Sequence, residues 1–158
     1  MKAGAYGNWK KSNERFDPSI VKQKSRRGAS CVSAVGEMLL RAQNVNTVTQ
    51  AEILAIIGEP APFGRLQAFL NELPVNEFGK VWQAGFDLEF NIYSFKDERN
   101  FAVILKEYGE PAHAVFIKRI GKRILINDTF DQSSYEMTRE DFEEVWTGAY
   151  IYYGEEDR

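Results

Sequence analysis

The chain contains one cysteine and one histidine in 158 residues. A single Cys cannot close an intrachain disulfide, so a stapled scaffold is excluded. One Cys and one His cannot fill the common four-ligand zinc sites, and a three-histidine catalytic centre is excluded as well. No motif calls for a cofactor. Proline is scarce and charges of both signs are mixed, which argues against overall disorder. No apolar run approaches the ~18 residues of a membrane span. The N-terminus also lacks the continuous apolar stretch of a secretory signal. The expectation is therefore no membrane insertion and action in a cytoplasm, the cell's own or a target's. With a net charge of −3 the molecule carries no polyanion-binding signature. Tyr6, Trp9 and Phe16 are too few and too scattered for a stacking platform, so no nucleic-acid partner is expected.

What is present fits one folded domain. Hydrophobic residues at 44% and charged residues at 27% are ordinary proportions for a globular chain, and the length suffices to bury a core without metals or staples. The charge is unevenly placed. Residues 1–28 carry a net +6 and the remaining 130 residues −9. That segment reads either as a basic arm that steers towards an acidic surface or as a solvated leader. Residues 1–22 are taken as a basic irregular segment and 23–158 as the domain proper.

Apolar periodicity places a helix at about 29–43, where Val35, Met38, Leu39 and Ala42 share a face. Thr49 with Glu52 forms a capping box that opens a second helix, Gln50–Ile57, closed by Gly58 and Pro60. A third helix is expected at Arg65–Leu73. One or two strands follow within 80–95. Asp97–Tyr108 has Phe101, Ile104, Leu105 and Tyr108 in helical register, with Gly109 as its terminating glycine. Ala112–Lys118 and Arg123–Asn127 form a hairpin around Ile120-Gly121. Thr138 then caps a short helix bearing Phe142, Val145 and Trp146, and Ala149–Tyr153 is a closing strand. Helices precede an antiparallel sheet, which is the α+β order.

The lone Cys31 sits in the first turn of the first helix, where free N–H groups and the macrodipole favour an anion and hence a thiolate. Arg26 and Arg27 would add to that field. Cys31 also falls on the apolar stripe of Ala34, Val35 and Met38, so a buried structural thiol fits as well. His113 opens a strand and shares a face with Val115 and Ile117. If Ile120 and Gly121 turn the hairpin, Asp128 lies directly opposite His113, with Cβ atoms roughly 4.5–5.5 Å apart. A carboxylate there could orient the imidazole. A slip of one residue would bring Asn127 opposite instead, and Asp131 is a further candidate. Cys on a helix start, His on a strand and Asp or Asn on the next strand is an arrangement able to form a thioester. The oxyanion would be received by the Cys31 N–H, with Gln23, Ser30 or a loop N–H as second donor.

These stretches resemble a known family. GASCVSAVGEMLL (residues 28–40) resembles the nucleophile helix of papain-like cysteine peptidases, most closely the C39-like and AvrRpt2-like branch, and TQAEILAIIG (49–58) resembles its second helix. HAVFIKRIGKRILINDTFDQSSYEMTREDFEEVWTGAYIYY (113–153) resembles its other half. The chain is also similar to papain-fold effector domains of bacterial polymorphic toxins. The resemblance implies N-terminal helices on a C-terminal antiparallel sheet. It implies Cys31 as nucleophile, His113 as base, Asp128 as orienter and Gln23 in the oxyanion hole. It further implies a protein or peptide substrate and, for a toxin module, a cognate immunity or inhibitor protein. Three positions depart from the pattern. Thr129 follows Asp128 where the family usually has Pro, Gln23 precedes Cys31 by eight residues rather than the shorter family gap, and Ser30 and Val32 flank the Cys. A glutamine deamidase or transglutaminase-type effector would use the same three residues, and a non-catalytic interaction module could keep the same fold.

Overall fold

The computed structural model describes residues 9–25, 30–94, 101–107 and 110–155. Helix α1 (Cys31–Ala42) buries nearly its whole length, including Ala34, Val35, Leu39 and Leu40. Helix α2 (Gln50–Ile57) starts at the expected capping box, in which Thr49 Oγ1 accepts from the Glu52 N–H and the Glu52 carboxylate accepts from the Thr49 N–H. Helix α3 (Phe63–Asn71) begins two residues earlier than the periodicity suggests, because Phe63 is itself buried. The three helices touch closely. A Cβ at Gly36 would lie 2.8 Å from Leu66 Cδ1 and 3.1 Å from Ile53 Cδ1, so a residue without a side chain allows α1 its approach to α2 and α3.

Among the described residues, seven strands form one antiparallel sheet: β1 (Ser12–Phe16), β2 (Lys80–Phe86), β3 (Phe101–Glu107), β4 (Glu110–Ile120), β5 (Arg123–Asp128), β6 (Ser133–Thr138) and β7 (Trp146–Glu155), in the order β1-β6-β5-β4-β3-β7-β2. Alternation along the strands makes two cores. Ala102, Ala114, Phe116 and Ile151 pack under α1, α2 and α3. Val103, Val115, Ile126 and Tyr135 pack on the opposite face with Phe142 of α4 (Arg139–Val145), the helix capped by Thr138. The expected α+β architecture is the one observed.

Two expectations about these elements fail. Phe101–Glu107 is a strand, not part of a helix. Flanked by β4 and β7, it buries Phe101, Ala102, Val103 and Leu105 on both faces, and a short continuous apolar run carries no period that separates strand from helix. The rest of that expected helix, residues 97–100 and Tyr108, lies outside the described residues, as does Gly109. The stretch read as irregular before residue 22 contributes β1, paired with β6. None of the expected elements corresponds to β6. Among the described residues, no helix is long and apolar enough to cross a membrane.

Candidate active site

Cys31 is the first residue of α1 and is buried. Ser30 precedes it but does not cap the helix. Its Oγ is turned back to Ser25, accepting from the Ser25 N–H at 2.8 Å and donating to the Ser25 carbonyl at 3.1 Å. His113 lies near the start of β4, fully buried. Its Nε2 is 2.7 Å from Asp128 Oδ1, and Cys31 is near enough to act on its charge. An ionised carboxylate only accepts, so Nε2 carries the proton in that bond and the other ring nitrogen, Nδ1, is left for the thiol.

The hairpin brings His113 and Asp128 together by a different register from the expected one. Ile120 pairs with Ile124 across three residues, the register shifts between Ile117 and Arg119, and Phe116 lies opposite Asn127. Asp128 is therefore diagonal to His113 rather than directly across. An aromatic side chain spans that diagonal. Ile is unsuited to the positive φ of a two-residue turn, which is why the loop lengthens. Asn127 shares the Phe116 face, away from His113, and Asp131 accepts from the Ser133 hydroxyl at 2.6 Å, so neither replaces Asp128.

The electrostatics follow from burial and pairing. Burial pushes the imidazole towards neutrality. The Asp128 charge and hydrogen bond, then the neighbouring Cys31, outweigh it and hold His113 well above its ordinary 6.5. Burial likewise raises Asp128. The His113 charge and hydrogen bond, the Phe130 N–H at 3.0 Å and the Lys11 charge overcome that and keep it below 3.8. Cys31 at the start of α1, His113 on β4 and Asp128 on β5 are thus brought to one buried place.

Solved structures share this architecture. The peptidase domain of Streptococcus ComA, a bi-functional ABC transporter involved in quorum sensing, superimposes with a TM-score of 0.64 at 17% identity, over 86% of this chain and 97% of that domain. A double-glycine-motif protease from an AMS/PCAT transporter, solved with its leader peptide, gives 0.61 at 16% identity, over 92% and 94%. The fold is papain-like, of the C39 peptidase type. Cysteine protease effector 1 of Escherichia coli O1:K1:H7 is 30% identical over 155 residues, 96% of this chain, and the chain spans 30% of that protein's length. No protein-family description matches the chain. The relative's name and the two peptidase domains agree with the cysteine peptidase resemblance seen in the sequence.

Within the papain-like fold, Gln23 is buried and held at three points. Its backbone N–H donates to the Thr129 carbonyl at 2.8 Å, its Oε1 accepts from Thr129 Oγ1 at 3.2 Å, and its Nε2 donates to the Ser25 carbonyl at 3.1 Å. Thr129, the departure from the usual Pro, thus supplies a hydroxyl donor that a Pro could not. Arg26 and Arg27 lie outside the described residues. Two residues at the site escaped sequence reasoning. Tyr135 Oη is 3.0 Å from Asp128 Oδ2, and Trp9 Nε1 is 3.1 Å from Tyr135 Oη. Tyr135 alternates with Met137 on a short strand, and Trp9 is a large aromatic amid polar residues, which are the signals that could have drawn attention to them. A cavity of about 150 Å³ lined by Leu40, Val45, Trp82 and Tyr153 lies at the other end of α1. None of the site's groups reaches it.

Proposed function

We propose that the chain is a thiol peptidase that cleaves a protein or peptide substrate through a thioester. The observation that carries this reading is the 2.7 Å bond from His113 Nε2 to Asp128 Oδ1 in a ring whose other nitrogen is left for Cys31. The Cys31 thiolate attacks the scissile carbonyl carbon, and the oxygen becomes an oxyanion. As that intermediate collapses, the C–N bond breaks and the His113 imidazolium gives its proton to the leaving amine. The neutral imidazole then takes a proton from water, whose oxygen attacks the thioester. The carbon–sulfur bond breaks, releasing the acid and restoring the thiolate–imidazolium pair. Asp128 holds the ring in the Nε2–H tautomer throughout.

The oxyanion would be received by the Cys31 backbone N–H at the start of α1 and by Gln23. An amide NH₂ has two donors. One of those on Gln23 is given to Ser25, and the second is assigned to the oxyanion. As part of a longer effector, such a domain would act on proteins in a cytoplasm and be held in check by a cognate inhibitor covering the site.

The deciding experiment incubates the protein and its Cys31→Ala variant with a peptide library and with glutamine-containing proteins, read by mass spectrometry. Cleaved backbones that vanish with Cys31→Ala are expected. Activity that survives Cys31→Ala refutes the assignment. Intact backbones bearing the mass of deamidation or a cross-link would replace the peptidase with an amide-transferring effector.

A further inference from the structure

Trp9 and Tyr135 lie outside the Cys31, His113 and Asp128 set, yet both are tied to it. An indole N–H can only donate. The Tyr135 oxygen therefore accepts from Trp9, and its single proton is directed to Asp128 Oδ2. The carboxylate is gripped on both oxygens, since Oδ1 receives the His113 Nε2–H and the Phe130 N–H. The Trp9 ring also stacks against His113, with centroids 6.3 Å apart and planes 24° from parallel. Lys11 sits over the Tyr135 ring at 4.5 Å. Trp9, Tyr135, His113 and Asp128 are all buried.

We propose that Trp9 and Tyr135 are positioning residues for the thiol chemistry, a relay of donors from the N-terminal segment that fixes the Asp128 carboxylate and, through it, the His113 ring. This rests on the reading of Cys31, His113 and Asp128 as the catalytic set. A carboxylate bonded on one oxygen alone can rotate about Cβ–Cγ and turn that oxygen away from the imidazole. One bonded on both oxygens cannot turn without breaking a bond in a dry site, where an unmade bond is costly. The indole beside the ring keeps water from the His113–Asp128 bond. Trp9, just before β1, therefore belongs with the site.

The test is a double-mutant cycle read by the rate of Cys31 alkylation with iodoacetamide across pH. Trp9→Phe keeps an aromatic ring and removes the N–H, and Tyr135→Phe removes only the hydroxyl. Each is expected to slow alkylation about three- to tenfold in the parent and less than about twofold when Asp128 is already Ala, because the effect passes through the carboxylate. Equal slowing in both backgrounds, or none in the parent, overturns the proposal. Circular dichroism confirms that each variant folds, and Asp128→Asn serves as the background if Asp128→Ala does not. Should His113→Ala and Asp128→Ala leave alkylation unchanged, the catalytic reading itself fails. Should they slow it while Trp9→Phe and Tyr135→Phe do not, only the relay fails.

Discussion

The two edge strands of the sheet, β1 and β2, are built for different ends. β2 pairs with β7 in unbroken register from Lys80 to Phe86. Its outer edge is closed by α3, with the Trp82 N–H donating to Asn71 Oδ1 and the Trp82 carbonyl accepting from Asn71 Nδ2 and Gln67 Nε2. The Trp82 ring is buried against Tyr153, its indole donating to Asn76 Oδ1 at 3.3 Å. β1 has a broken register between Ser12 and Arg15, a left-handed Asn13 at φ 54° and an exposed Phe16. Its leading tryptophan, Trp9, is also buried and also donates through its indole, but to the hydroxyl that holds Asp128. One edge tryptophan closes the sheet against its helices, and the other reaches the Tyr135 hydroxyl beside Asp128. On the proposed thiol chemistry, the difference teaches that a regular edge and a functional edge need not coincide. Stability and activity should therefore separate between them.

The largest effect should come at the β1 side. Asp128→Asn is expected to lower the rate of peptide cleavage by about 10²–10⁴-fold. It should also move the alkaline limb of the pH–rate profile towards acid, because the charge that holds His113 above 6.5 is gone and burial then lowers it. Stability should follow the same pair. The raised His113 contributes stability that is full below pH 6.5 and fades as pH rises through the folded value. The lowered Asp128 contributes stability that is full above pH 3.8 and fades as pH falls through its folded value. Urea midpoints of the parent should therefore peak between 3.8 and 6.5, and Asp128→Asn should flatten the peak. An unchanged profile in both measurements would break the link between this edge and the chemistry. At the other edge, Trp82→Ala should cost about 3–5 kcal/mol of unfolding free energy, measured by urea titration, and leave the cleavage rate per folded molecule unchanged. A comparable loss of rate would erase the contrast.

Sequence reasoning found what is local and missed what is contextual. The Thr49/Glu52 box marks α2 because capping is settled within four residues. Cys31 stands where α1 begins because the apolar stripe and the helix start coincide. Phe101–Leu105 cannot be read that way, since a strand with neighbours on both sides loses the alternation that would name it. The hairpin gave Asp128 as the partner of His113 through a register the structure does not have. The pairing survives because Asp128 and His113 remain on one face and the imidazole reaches across the diagonal. Trp9 and Tyr135 meet at a separation of 126 residues, and no local signal records that Ser12–Phe16 pairs with β6.

The smallest expected effect refines the comparison where it is most specific. Asn71 uses both ends of one amide to close the N–H and the carbonyl of Trp82. Asn71→Ala should therefore cost about 1–3 kcal/mol, more than a single exposed hydrogen bond, because two strand groups lose a partner at once. The Gln67 amide still reaches the Trp82 carbonyl, so the N–H is the group left in need. Hydrogen exchange at the Trp82 amide should accelerate while that of the β4 and β5 amides around His113 and Asp128 stays as in the parent. If exchange quickened equally at both places, the two edges would be one cooperative unit and the separation of stability from activity would not hold.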